Sequence, residues 1–285
     1  MTTPGRERVV LGLLSVAAMG VLYTLGAGAW NRPDLLPPTR DIWAAFWSLV
    51  TGGLPAAPGE HVHHSDHVAL LLEHEFTLQG ALLVSAARVL FGVCVGGSLG
   101  ILAGGWMGWS RRVDEYLHPV YVLFRSIPPL ALITYVMLWV GHGQAHLLIP
   151  IAYAVLATVV IPAYHGVRDV ADIYVTAARA LGARGRLLFV RVLVPAASPS
   201  VLSGLRYALL AAWMTTVGVE MLMSDDGIGQ LIVGGGLWSS RLEVRADPAV
   251  VMVSIAALAA AGAAMDAAVR VVGGRLTAWR KESGR

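Results

Sequence analysis

Six apolar runs, each long enough at about 20 residues to cross a hydrocarbon core, constrain this chain more than anything else in it. They fall at roughly 9–28, 79–109, 117–140, 147–167, 199–223 and 248–272. Hydrophobic residues make up 56% of the chain and charged residues 14%, against roughly 45–50% and 25% in ordinary soluble domains. A soluble protein of 285 residues with that balance would have too few charges to cover its surface. A bilayer removes the difficulty by solvating apolar side chains directly. The fold class is therefore an all-α polytopic membrane protein with about six transmembrane helices. The second run is long enough to tilt or to project beyond the membrane. The first follows Arg6 and Arg8, but its length and the absence of a cleavage signal favour a retained anchor over a signal peptide.

Orientation follows from the arginines. With both termini inside, the cytoplasmic segments hold 14 of the 21 basic residues and the opposite loops hold four, Arg32, Arg40, Arg241 and Arg245. Arg88, Arg125 and Arg206 lie within or at the ends of spans. The pI near 9.2 thus reports topology. Nucleic-acid binding would need a basic soluble face with stacking aromatics, which is missing. Cys94 is alone and inside a span, so it supports neither an intrachain disulfide nor a cysteine-based metal site.

The cytoplasmic segment between the fourth and fifth runs reads as ordered helix. Val170, Ile173, Tyr174, Ala177 and Leu181 fall on one apolar stripe. Gly182 supplies a stop in the left-handed conformation. A second short helix, roughly 186–194, is expected to end at Pro195. One apolar face standing in water needs a partner. Ala177-Ala178, Gly182 and Leu193-Val194-Pro195 resemble the "EAA" coupling loop of binding-protein-dependent ABC importers, with Thr176 where that pattern usually has Glu. Arg125-Ser126-Ile127-Pro128-Pro129, Leu138-Trp139-Val140-Gly141, Gly204-Leu205-Arg206-Tyr207, and Glu220 ahead of Gly227-Ile228-Gly229 resemble the sulfonate/taurine/nitrate permease subfamily.

That resemblance, from about residue 80 to 280, implies a type I ABC importer permease fold with a cytoplasmic coupling helix. It divides the chain into an N-terminal anchor and outer loop (1–78), a permease domain (79–280) and a cytoplasmic tail (281–285). Tyr174, Thr176, Ala177, Ala178, Leu181, Gly182, Arg184 and Pro195 become the ATPase-coupling residues. The implied partners are two ATPase subunits carrying ATP and Mg, an extracytoplasmic solute-binding protein and a second permease copy in the bacterial inner membrane. The implied cargo is a small anion such as an alkanesulfonate, taurine or nitrate, or alternatively a vitamin precursor or aromatic compound. An ion-coupled secondary transporter would show inverted repeats, and no convincing repeat is present. A scaffold or sensor would leave the Pro-broken span and Arg125 without purpose.

Within the spans, Gly92, Gly96, Gly100, Gly104 and Gly108 recur every four residues, a small-residue stripe that lets a second helix approach closely. It is either a sliding surface or static packing. Pro128 and Pro129 break the third span, and irregular backbone in a membrane lines a cavity or is covered by protein. Arg125, about nine residues into that run, must pair or face water. It belongs either to an anion's route or to a structural ion pair or bonds with the carbonyls the prolines free. Glu220 either gates or pairs with an arginine. These four, Arg125, Pro128, Pro129 and Glu220, are the expected translocation-pathway residues.

Outside the membrane, Leu35-Leu36-Pro37-Pro38-Thr39 opens an amphipathic helix carrying Trp43, Phe46 and Trp47, suited to the interface. The stretch 55–75 carries His61, His63, His64, His67 and His74. His63 and His67 are spaced to share a metal on a helix, unless the stretch is a plain polar insertion. No Walker-type phosphate loop exists, since the only lysine is Lys281, so no cofactor is expected in this chain.

Overall fold

The computed structural model describes residues 4–30, 36–51, 77–233 and 248–276. Its helices are α1 (Pro4–Trp30), α2 (Thr39–Thr51), α3 (Leu78–Trp109), α4 (Arg111–Arg125), α5 (Leu132–Val140), α6 (Gln144–Arg168), α7 (Asp172–Ala180), α8 (Gly185–Leu188), α9 (Val194–Met223), α10 (Ile228–Val233) and α11 (Pro248–Leu276). A 3₁₀ turn at Pro129–Ala131 precedes α5, and a π turn at Phe189–Leu193 joins α8 to α9. No strand occurs among the described residues. Among the described residues, five helices are long and apolar enough to cross a membrane, and a sixth crossing follows if one bent pair counts as a span.

That bent pair corrects the expected 117–140 run, which is not one helix. α4 stops at Arg125, and the chain turns by 76° before continuing through Pro129–Val140. Pro128 and Pro129 supply no N–H for the ladder, and Pro128 sits extended at ψ 129°. A second correction concerns Pro195, which ends nothing. The helix runs on through it into α9, where it occupies the first turn. Its ring would meet the carbonyl four residues back. The preceding π turn, closed by the Val194 N–H on the Phe189 carbonyl, widens the helix just there.

The described residues form two compact units, one drawn from residues 1–80 and 231–257, the other from 81–230 and 258–285. In the first, the Tyr23 hydroxyl donates to the Pro37 carbonyl at 2.7 Å and meets the Met252 sulfur at 3.2 Å. α2 buries Ala45 and Leu49 and turns Trp43 and Trp47 outward, the amphipathic helix expected after Pro37-Pro38.

The second unit is built on α3, α6 and α9. Every rung of the glycine ladder faces α6. A Cβ added at Gly92, Gly96 or Gly104 would collide with Ile151, the Ala152 carbonyl or the Val160 carbonyl. At Gly100 and Gly108 it would lie 3.1 and 2.7 Å from the carbonyl oxygens of Leu156 and Tyr164. From Gly96 onward the partner carbonyls also advance four residues per rung, so both helices drift together and run parallel. Lipid gives helices no hydrophobic reason to associate, and close backbone approach supplies dispersion contact instead. Against α6, α9 runs antiparallel: Gly204 accepts the Pro162 ring, and the Ser200 hydroxyl donates to the Pro162 carbonyl at 3.0 Å. Val89, Ile151, Val155, Val159, Ala208, Ala212 and Trp213 fill the space between the three helices.

Neighbouring glycines separate packing from helix propensity. Gly104→Ala should lower detergent thermal stability by about 1–3 kcal/mol, because its methyl meets backbone that cannot retreat. Gly105→Ala meets nothing within 4 Å and should leave stability unchanged or slightly raised. Equal effects at the two positions would contradict the ladder's role.

Candidate functional site

The loop between α6 and α9 carries the first candidate surface. Val175 of α7 packs with Val167, Val170, Phe189, Leu193 and Ala197, which seats the helix. Trp109 at the end of α3 meets Phe189 edge to face, with ring centroids 5.2 Å apart. The opposite side is left bare. Ile173 is 72% exposed and Leu181 90% exposed, and Tyr174, Thr176 and Ala177 are exposed with them. Ala178 is half-buried. The end of α7 is rigidly specified. The Ala183 N–H bonds to the Ala178 carbonyl at 2.9 Å and the Gly182 N–H to the Arg179 carbonyl at 3.0 Å, the paired bonds of a Schellman cap. Gly182 has φ +87°, which a side chain would strain. Arg184 is extended and leads into α8.

The second candidate is a cleft of about 490 Å³ beside the break in the third span, lined by Tyr121, Arg125, Pro129, Tyr153, Thr158 and Tyr207 among others. Arg125 is exposed there, with its guanidinium 5.9 Å from the centre of the Tyr121 ring. Neither bond expected of a structural Arg125, an ion pair or donation to the carbonyls at the break, occurs among the described residues. The carbonyls of Phe124 and Ile127 accept instead from the Tyr153 hydroxyl, the second at 3.2 Å. Leu130 rests where Gly218 has no side chain, so the broken segment leans on α9.

Glu220 belongs to neither feature. It is wholly buried and pairs with Arg88, itself 3% exposed, at 2.8 Å. Ser85 Oγ lies 2.8 Å from both carboxylate oxygens and accepts the Ile228 N–H at 2.9 Å. The Gly229 N–H donates to Oε2 at 3.0 Å. Arg88 also pairs with Asp226 and donates to Gln144 Oε1 at 3.2 Å. The cluster joins one end of α3, the start of α6, the end of α9 and the Asp226–Gly229 turn. Gly227, at φ +95°, lies against the Glu220 carboxylate, where a Cβ has no room. Burial opposes ionisation of Asp226, but the Ser224 hydroxyl and the Arg88 guanidinium outweigh it and hold the carboxyl below the ordinary aspartate value. A depressed carboxylate stabilises the fold above its unfolded-state pKa, and that contribution is lost as pH falls through the folded one.

Of the expected pathway residues, Arg125 and Pro129 line the cleft and Glu220 sits in the buried cluster. Arg88, Ser85, Gln144 and Tyr153 were not singled out by sequence. Their partners lie between 26 and 143 positions away, so only an ionisable residue inside an apolar run hinted at Arg88. The other in-span arginine, Arg206, grips Asp266 through two bonds of 2.8 and 3.2 Å. His63 and His67 lie outside the described residues; among those described, no group of three or more metal-ligating side chains occurs.

Removing one member of the buried pair strands the other. Arg88→Met or Glu220→Met should each lower stability to sodium dodecyl sulfate unfolding by about 3–5 kcal/mol, and the double replacement should recover part of the loss. Arg206→Gln, at a solvent-reached pair, should leave it close to wild type. Additive losses at Arg88 and Glu220 would refute the pairing.

Residues 96–278 match the family described as binding-protein-dependent transport system inner membrane component. The taurine transport system permease protein TauC of Escherichia coli (strain K12) is 31% identical over 275 residues, covering 94% of this chain and 90% of its own. The putative aliphatic sulfonates transport permease protein SsuC of the same organism is 29% identical, covering 90% of this chain and 89% of its own. The nitrate import permease protein NrtB of Synechococcus elongatus is 29% identical, covering 72% of this chain and 79% of its own. In fold, the chain is similar to a chain of the MetNI methionine ABC transporter in inward-facing conformations, with a TM-score of 0.52 at 18% identity, covering 73% of this chain and 99% of that one. With its apolar helices and its exposed loop helix, this chain belongs to the binding-protein-dependent transport system inner membrane components: it is a permease component of an ABC importer, a transport subunit whose ATPase is a separate polypeptide.

Proposed function

We propose that two copies of this chain form the membrane passage of an ATP-driven importer for a small anion of the sulfonate, taurine or nitrate kind, with residues 79–280 as the transport domain. Two ATPase subunits dock on the α7 loops and hold ATP and Mg, and a solute-binding protein delivers the cargo on the opposite side. Both termini and α7 face the cytoplasm of a bacterial cell. The glycine ladder serves as fixed packing, and the Pro128-Pro129 break forms a wall of the route.

The observation that carries this reading is the bare stripe Ile173, Tyr174, Ala177 and Leu181 on a helix whose other side is seated and whose end is capped. A helix held that firmly, with its apolar face in water, is built to be covered by another protein. Closure of an ATPase dimer would then pull α7, and through the π turn and α9 the pull reaches the membrane. Relatives carrying sulfonate, taurine and nitrate in their names support the cargo class.

Gly182→Leu places a Cβ in a left-handed turn at a cost of about 1–2 kcal/mol. The variant should reach the membrane yet lose ATPase activity stimulated by the binding protein, together with uptake. Normal uptake at normal expression would contradict coupling through α7. For orientation, in a Cys94→Ala background, Ala183→Cys should be shielded from an impermeant thiol reagent in intact cells while His142→Cys labels. Labelling at position 183 from outside would invert the topology and remove the ATPase contact.

A further inference from the structure

We propose that the cleft beside the broken third span is an anion-binding station in which Arg125 is the charge that recognises the cargo, a small monoanionic oxyanion, and Tyr153 is its positioning residue. The proposal deepens the importer reading above and rests on it only for the existence of a route.

The charges inside the spans carry the inference. Arg88 is neutralised by Glu220 and Asp226, and Arg206 by Asp266. Among the described residues, Arg125 has no carboxylate partner and is the only ionised group lining the cleft. A lone guanidinium at membrane depth is expensive unless water or a counter-ion reaches it. The cleft's hydroxyls cannot supply that counter-charge. Tyr121 donates to the Ala157 carbonyl at 2.7 Å, Thr158 to the Ala154 carbonyl at 2.8 Å, and Tyr153 to the carbonyls at the helix break. These bonds fix the walls and leave the net charge of the lining at one positive. The missing counter-charge is therefore mobile.

The chemistry of the site sets the class of that anion. A guanidinium presents a planar fork that matches two oxygens of a sulfonate, carboxylate or nitrate. One cation balances one negative charge, so a dianion would enter with half its charge unmet. The Tyr121 ring face beneath Arg125 holds the fork without neutralising it. Tyr153 bonds the carbonyls of Phe124 and Ile127 on the N-terminal side of the break, so the break keeps its angle and Arg125, the last residue of α4, stays on the cleft wall.

Reaction rates of a cysteine placed in the cleft test the proposal without knowing the cargo. The complex of the full chain with its ATPase, carrying Cys94→Ala and Ala157→Cys, is treated in detergent with sulfonatoethyl methanethiosulfonate and, separately, with trimethylammonioethyl methanethiosulfonate. After correction for each reagent's rate with a free thiol, the anionic reagent should react about fivefold faster or more. Adding Arg125→Gln should bring the ratio close to one, and Arg125→Lys should preserve it. A ratio close to one with Arg125 present, or a preference that survives Arg125→Gln, overturns the station. Tyr153→Phe should weaken the preference while leaving Arg125 in place; an unchanged ratio removes Tyr153 from the account. A reading that needs no change at position 125 is protection: sodium nitrate should slow reaction of the same cysteine with an uncharged maleimide, and sodium chloride at the same concentration, whose single-atom anion offers the fork no pair of oxygens, should slow it less. Equal rates in the two salts also overturn the station. Loss of charge preference leaves the importer reading intact, since that reading is scored by ATPase coupling; lost coupling with the preference retained does the reverse.

Discussion

A carboxyl group in a dry site needs donors in place of the water it gave up, and Glu220 has a guanidinium, a hydroxyl and a backbone N–H. Those donors come from α3 and from the turn after α9, so the requirement of one side chain ties segments that are far apart in sequence. Arg88 extends the tie to Gln144 at the start of α6. The glycine ladder makes this geometry possible, because only side-chain-free rungs let α3 approach α6 at backbone distance. The polar cluster and the apolar ladder therefore specify the same arrangement, and each fixes the register of the other.

Against that fixed set stand the parts that depart from regular helix. The third span breaks by 76° at its prolines, and the α8–α9 junction widens to a π turn. Both irregularities flank features with demands unmet among the described residues: a guanidinium without a carboxylate in one case, an apolar stripe without a cover in the other. A transport subunit needs both kinds of feature. It must bind a passing solute without keeping it, and it must take force from an ATPase it does not contain. α7 is suited to the second task because its cap and its seated side leave little freedom for a pull to be lost.

Much of this was legible in the sequence where a local period carries the information. The spans follow from apolar run length, the ladder from its four-residue spacing, and the α7 stripe from positions 173, 174, 177 and 181 with a glycine at 182, although Val170, expected on the same stripe, packs inward against Val167, Leu193 and Ala197. What was not legible is long-range. Nothing local assigns Glu220 to Arg88, 132 positions away, or Tyr153 to the carbonyls of Phe124 and Ile127. Two local rules also misled. Pro195 reads as a stop, yet a π turn just before it absorbs the ring, so the helix continues. The 117–140 run is apolar enough for one span, and hydropathy does not register that two adjacent prolines bend the backbone inside it.

The central claim is that α7 is covered by an ATPase, and amide hydrogen exchange tests it most directly. Exchange across residues 172–183 should be measured on the purified chain alone and in complex with its cognate ATPase. The account predicts strong slowing in that segment on complex formation, with amides of α3 and α9 around Arg88 and Glu220 protected alike in both samples. Equal exchange of residues 172–183 with and without the ATPase would contradict it.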